Sequence, residues 1–255
     1  MPIGLVPALA VLLIISCGTG LGMFFGRSIS AAHLNDQSKS VITVATAVVG
    51  TASALVLGLL ISSASIAFSQ RSADVVRMAT DIIRLDRVLR DYGSSADMER
   101  QSLAQYANLK LADLFPRRSD RAPLIEDPTS MGMLDDMRKA VLTLSPSNDD
   151  QHWLKQRALQ FIDDIGETRW TLALRQNVDP LPLPFLVMLV LWLTLLFGSF
   201  GLFAPRNATV MAALGLCALA VSAGVGLVID MSNPFGGVVR VSGLPVEQAI
   251  AIIRR

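Results

Sequence analysis

The sequence predicts an all-α membrane protein with four transmembrane helices, the second of which extends into a helical cytoplasmic module. Three observations carry this. With 52% hydrophobic and 17% charged residues, the chain is too apolar for an ordinary soluble domain. Four long runs, Pro2 to Gly26, Val41 to Phe68, Leu183 to Ala204 and Ala208 to Ile229, contain no Asp, Glu, Lys or Arg. Crossing about 30 Å of hydrocarbon takes about 20 apolar residues at ~1.5 Å each, so every run is long enough. Finally, Val41 to Tyr92 contains no proline, and its apolar half passes into a charged half with nothing to end a helix.

The first run predicts a helix over about residues 3–25. A secretory signal peptide is a second reading, but the positive n-region is missing. Ile14-Ile15-Ser16-Cys17 loosely matches a lipoprotein cleavage box, again without an early Lys or Arg. A retained span is the stronger reading. Gly18, Gly20 and Gly22 make its end flexible or closely packed. Arg27 to Ser40 reads as a connecting loop that completes a hairpin over residues 1–68.

The second span covers residues 41–68, and one face carries only small residues at a four-residue step: Thr46, Gly50, Ala54, Gly58 and Ser62. In lipid, small residues let helices approach closely, so the face reads as a helix-packing seam. It also reads as a candidate pore lining, because pores need polar or small walls. Leu55, Leu59 and Phe68 are apolar candidates for a dewetting gate if their face turns inward.

The charged half places Val75, Met78, Ile82, Leu85, Leu89 and Tyr92 on one helical face. Asp74 with Arg77, Arg77 with Asp81, and Arg87 with Asp91 stand at ion-pair spacing on the wet side. Gly93 is the natural stop, and Ser94, Ser95 and Asp97 are candidate caps for the next helix. The apolar face requires a partner, either later helices of the chain or a neighbouring subunit.

A polar region over residues 69–180 follows, with helices predicted from Ala96 to Leu114, Met133 to Leu144 and Asp149 to about Gln176. Arg117 to Met131 reads as a solvated loop whose Arg117, Arg118 and Arg121 are candidate headgroup contacts. Ser147 or Asn148 caps the last helix, whose apolar positions are Trp153, Leu154, Ala158, Phe161, Ile162 and Ile165. The core of this module is expected to be shared with the second helix.

Spans at residues 183–204 and 208–229 are joined by Pro205-Arg206-Asn207, which forces an antiparallel hairpin over residues 183–229. Asn207-Ala208-Thr209 formally matches a glycosylation acceptor but lies too close to the membrane ends. Gly215, Gly224 and Gly226 suggest close packing. Residues 230–255 form a tail in which Val238 to Ser242 is extended and Pro245 opens a short helix ending at Arg254 and Arg255.

Four spans place both termini and the polar region on one side, which carries Arg71, Arg77, Arg84, Arg169, Arg175, Arg240, Arg254 and Arg255 near membrane ends. The other side carries Arg27, Lys39 and Arg206, so the positive-inside rule makes the first side cytoplasmic and the location the inner (plasma) membrane. A net charge of +1 implies no nucleic-acid partner. Cys17 and Cys217 lie in apolar runs and suggest no disulfide framework. His33 and His152 have no partner at metal spacing and read as surface residues. No phosphate loop, zinc His-Glu pattern or Gly-x-Ser-x-Gly elbow is present, so neither enzyme nor cofactor is implied. No span carries a charge that would mark a proton relay.

Two stretches carry a family resemblance: FGSFGLFAPRNATV, from Phe197 to Val210, and IDMSNPFGGVVRVSGLPVEQAI, from Ile229 to Ile250. With the stalk and TRWTLALRQ, from Thr168 to Gln176, they resemble the bacterial bestrophin-like membrane proteins. The resemblance singles out Asn233, Pro234, Phe235 and Gly237 as a candidate motif loop. The chain departs from the family pattern at Ser232 and Gly236, where the family often carries acidic or polar residues. Bestrophins are pentameric ion channels with four spans, cytoplasmic termini and a pore built from the second span. The resemblance therefore implies a homo-oligomer in the bilayer, with residues 41–68 around a central pore. Calcium-responsive bestrophins use a dense acidic cluster after the last span. Here the acids come as the pairs Asp135-Asp136, Asp149-Asp150 and Asp163-Asp164, so no calcium site is expected. Two function classes follow: an oligomeric channel or pore of low selectivity, and a membrane-anchored interaction or sensing module acting through its helical region.

Overall fold

The computed structural model describes residues 4–28, 36–116, 128–177, 183–205 and 207–254. The described elements are helices: α1 (Leu5–Ser28), α2 (Asp36–Tyr92), a 3-10 turn (Ser94–Ala96), α3 (Asp97–Leu114), α4 (Pro128–Thr143), α5 (Asp149–Asn177), α6 (Leu183–Phe203), α7 (Ala208–Met231) and α8 (Leu244–Ile253). There is no strand among the described residues. Four helices are long and apolar enough to cross a bilayer: α1, α2, α6 and α7. The chain is thus an all-α membrane protein.

It divides into two units, Met1–Ala67 with Pro180–Val239, and Phe68–Asp179 with Arg240–Arg255. In the first, α1 packs against α6 and α7 around Ile15, Leu189, Leu193, Phe197, Val225 and Val228. Glycine sets the α1–α6 spacing. Gly18, Gly22 and Gly26 recur at four-residue steps on α1. A Cβ at Gly18 would lie 2.8 Å from Thr194 Cγ2, and one at Gly26 2.8 Å from the Leu202 carbonyl oxygen. One at Gly22 would be driven into the Gly198 carbonyl oxygen, and one at Gly201 into that of Thr19. Gly20, off this line, meets nothing within 4 Å. Close backbone approach is what small residues permit in a medium that gives apolar side chains no reason to prefer each other over lipid.

In the second unit, Val75, Met78, Ile82, Leu85, Leu89 and Tyr92 of α2 are all buried, as are Leu103 and Tyr106 of α3 and Ala158, Phe161, Ile162 and Ile165 of α5. The face that needed a partner therefore finds it in later helices of its own chain. Trp153, expected on the apolar face of α5, is exposed, and Leu154 is half-buried. Gly93 ends α2 at a φ of 112°, a left-handed conformation that suits glycine.

Several boundaries differ from expectation. The connection expected over Arg27 to Ser40 is shorter, because α1 runs to Ser28 and α2 begins at Asp36. That stretch is polar but holds no Pro, and nothing in Gln37-Ser38-Lys39 opposes a helix. α4 starts at Pro128, five residues before Met133, since a proline that cannot sit inside a helix is well placed in its first turn. Ser94 and Ser95 do not cap α3. They form the 3-10 turn that runs into it, so Ala96 takes the N-cap with no side-chain bond. Asn148 does cap α5, accepting from Gln151 N at 2.7 Å, while Gln151 Oε1 accepts from Ser147 N at 2.7 Å. Asn207 caps α7 through Val210 N at 2.8 Å. Residues 238–242, expected to be extended, are bends and chain without regular secondary structure. His33, Arg117, Arg118, Arg121, Arg206 and Arg255 lie outside the described residues or their described side chains.

Of the ion pairs expected on α2, Arg77 reaches Asp81 at 4.0 Å, joined there by Arg84 at 3.4 Å. Asp74 pairs instead with Arg175 of α5 at 2.7 Å, a contact spacing within one helix could not reveal. Arg87 and Asp91 form no ion pair among the described residues.

Candidate functional site

Two places drew attention in the sequence: the small-residue face of α2 and the loop after α7. Within its own unit, α2 uses a different face to pack. Ser53, Leu60 and Ala64 are its buried positions in the apolar half, and the Ser53 hydroxyl donates to the Val49 carbonyl at 2.8 Å. Thr46 and Gly50 are half-buried, whereas Ala54, Gly58 and Ser62 are exposed. A Cβ at Gly50 would touch Leu196 Cδ1 at 3.0 Å, but one at Gly58 would meet nothing within 4 Å. Thr46 donates to the Ile42 carbonyl at 2.8 Å, so its hydroxyl is satisfied within the helix. Leu55 and Leu59 are exposed beside Gly58 and Ser62, while Phe68 is half-buried. Of the four spans α2 is the least covered, with 11% of its apolar window buried against 22% for α1 and 28% each for α6 and α7.

The loop after α7 is organised by a residue the motif reading passed over. Asp230 is 3% exposed, and its carboxylate is clasped by three backbone N–H groups. Oδ1 accepts from Gly4 N at 3.2 Å and from Val238 N at 3.0 Å, and Oδ2 accepts from Val239 N at 2.7 Å. The clasp ties the start of α1 to the end of α7 and to the chain beyond it. Around it, the Asn233 carbonyl accepts from Gly236 N and Gly237 N, each at 3.1 Å, and the Asn233 N–H donates to the Asp230 carbonyl at 3.0 Å. Pro234 is buried and Phe235 half-buried. A Cβ at Gly237 would stand 2.6 Å from Asp230 Oδ1, so only glycine lets the backbone close over the carboxylate. The Ser232 hydroxyl donates to the Ile229 carbonyl at 2.6 Å.

The four motif residues thus build one turn whose centre is Asp230. A lone acid at the end of an otherwise uncharged 24-residue helix was the available signal. The partners are backbone amides, which leave no mark in sequence. Chemically, a carboxylate that accepts from three backbone N–H donors is a structural fastener.

In the second unit, Asp86 is buried between Arg90 at 2.7 Å and Arg100 at 3.0 Å, which holds α2 to α3. Arg71 Nη2 donates to the Arg175 carbonyl at 2.8 Å and so joins α2 to α5. These charges join helices within the unit. No three His, Cys, Asp or Glu side chains come together at metal-binding distance among the described residues.

The sequence model of the bestrophin-like domain family matches residues 13–246, most of the chain. No curated protein and no solved structure matches.

Proposed function

The chain belongs to the bestrophin-like family, and from that premise we propose that it assembles as a homo-oligomer whose α2 helices surround a membrane pore of low ionic selectivity. In this reading α2 crosses the bilayer over residues 41–68 and continues as a stalk into a helical cytoplasmic module. By analogy with bestrophins, the assembly is a pentamer. The observation that carries the reading is the outward face of α2. Gly58 has open space where a Cβ would stand, and Ala54 and Ser62 are exposed with it. Small residues in a span are selected for close approach, yet the chain's own close approach is made at the α1–α6 glycines. A seam left open in one copy suits contact with, or proximity to, another. The wall so formed is uncharged, with Thr46 and Ser62 as its polar members and Leu55 and Leu59 beside them. Such a wall gives weak ion discrimination and a means of gating by dewetting. An interaction module would instead use this face to pack on the chain's own spans, and the exposure of Ala54, Gly58 and Ser62 speaks against that.

The detergent-extracted protein is expected to run at an oligomeric mass and to conduct small ions in planar bilayers. Ser62→Glu should alter the current while leaving the assembly intact, because a charge would enter the wall. A monomer, or an oligomer silent under every voltage and salt condition, would remove the pore.

The arginine asymmetry supports a cytoplasmic side for both termini and residues 69–180. Ser95 and Ala208 are exposed positions on opposite sides of that arrangement. In a background without Cys17 and Cys217, an impermeant thiol reagent added outside intact cells should label Ala208→Cys and spare Ser95→Cys. The reverse pattern would invert the topology.

A further inference from the structure

Helices α4 and α5 leave between them a groove of about 330 Å³ whose lining includes a buried cation. Arg169 is 6% exposed, and its Nε and Nη1 are buried with no hydrogen-bond partner. Its guanidinium lies 5.2 Å from the Trp170 ring centroid, and it forms no ion pair among the described residues. An arginine cannot relieve burial by losing its proton, so it keeps a charge that demands an acceptor. The Tyr106 hydroxyl nearby is also buried without a partner, and burial, with Asp113 adding and Arg169 opposing, pushes its phenol above the ordinary range, so it stays protonated. Buried guanidinium nitrogens without an acceptor are the opposite of a satisfied core.

The rest of the lining narrows what the acceptor belongs to. Arg138 is already neutralised by Asp163, Nε to Oδ1 at 3.0 Å. Asp135 and Glu167 also line the groove, are exposed, and hold no ion pair among the described residues. A multiply charged phosphate would be repelled by these two carboxylates. A simple cation would leave Arg169 unmet. Leu134, Ile162 and the half-exposed face of Trp170 add an apolar surface.

From this arrangement we infer that the groove binds a small zwitterion of the α-amino acid class, its carboxylate on Arg169, its ammonium toward Asp135 and Glu167, and its apolar side chain against Trp170. A bidentate carboxylate suits the guanidinium fork, and the ring holds the fork flat. The cavity is the size of a small-molecule site, and all its lining residues belong to the second unit. The inference therefore stands or falls independently of the pore.

The test uses the full-length protein in detergent, with L-leucine, sodium acetate and inorganic phosphate as probes, read by calorimetry, thermal shift and tryptophan fluorescence. L-leucine should bind saturably, raise the melting temperature and change the fluorescence of Trp170, with acetate and phosphate each weaker. The surface variant Asp135→Asn/Glu167→Gln should keep its fold, bind leucine about ten-fold more weakly and bind acetate no worse, since it removes only the ammonium partners. Arg169→Lys should weaken both carboxylates by losing the fork. If Arg169→Lys fails to fold, the rim variant still decides. Phosphate binding more tightly than leucine, leucine binding untouched by the rim variant, or no saturable leucine binding would each overturn the inference.

Discussion

Replacing Asp230 with Ala is expected to destabilise the first unit by about 3–5 kcal/mol, a large effect for a single side chain. The carboxylate accepts from Gly4, Val238 and Val239 N–H groups at 3.2, 3.0 and 2.7 Å. Bonds to a charged acceptor contribute about 1.5–3 kcal/mol each when measured by deletion, and the sum falls short of additivity because the donors share one acceptor group. Removing the side chain leaves three amide donors without their acceptor, the Gly4 N–H buried and those of Val238 and Val239 part-buried. Asp230→Asn should fall between, because the amide keeps one acceptor oxygen and turns its NH2 toward a donor. Gly237→Ala should also destabilise, since its Cβ would stand 2.6–2.8 Å from the carboxyl atoms. In the Asp230→Ala background the same glycine change should cost much less. Thermal unfolding of the detergent-solubilised single and double variants measures this coupling. Asp230→Ala melting with the wild type, or strictly additive effects, would show that the clasp holds nothing together.

The clasp also marks the limit of what the sequence can express. Four spans are legible because a bilayer accepts only long uncharged helices, and 20 consecutive apolar residues rarely arise for another reason. The apolar face of α2 from Val75 to Tyr92 is legible because water penalises each exposed member, which forces a period of 3.6. Inside lipid that penalty vanishes. Thr46-Gly50-Ala54-Gly58-Ser62 on α2 and Gly18-Gly22-Gly26 on α1 then look alike: small residues at four-residue steps. The second is packed within the chain at each of its glycines, whereas in the first Gly50 meets Leu196 and Gly58 meets nothing. The reading of Gly18, Gly20 and Gly22 as a flexible or closely packed end took in two members of the packed line and one off it. Arg169 lay inside a stretch singled out by resemblance, TRWTLALRQ, but its burial follows from α3 and α4 folding over α5. No local pattern encodes that. Asp74 found Arg175 across 101 residues for the same reason.

Gly22→Leu is expected to separate α1 from α6, at a cost of about 3 kcal/mol or more, and Gly22→Ala to cost less but still measurably. The reason is what the new atom would strike. At Gly22 it is the carbonyl oxygen of Gly198, followed by the Gly198 carbonyl carbon at 2.9 Å and Leu202 N at 3.1 Å. These are backbone atoms of a hydrogen-bonded helix and cannot rotate aside as a side chain can. The helices must part along the whole line, since Gly18 and Gly26 are held as closely by Thr194 and Leu202. Two glycine controls separate this from a general intolerance of bulk. Gly20→Ala, with nothing within 4 Å of its Cβ, should be neutral or slightly stabilising, because alanine favours the helix. Gly58→Leu should leave the unfolding of a dissociated single chain unchanged, yet reduce the oligomeric mass if α2 meets its copies there. Unfolding in detergent and mass measured on the same four variants distinguish these outcomes. A Gly22→Leu protein as stable as wild type would mean that α1 and α6 are not held at the distance their backbones show.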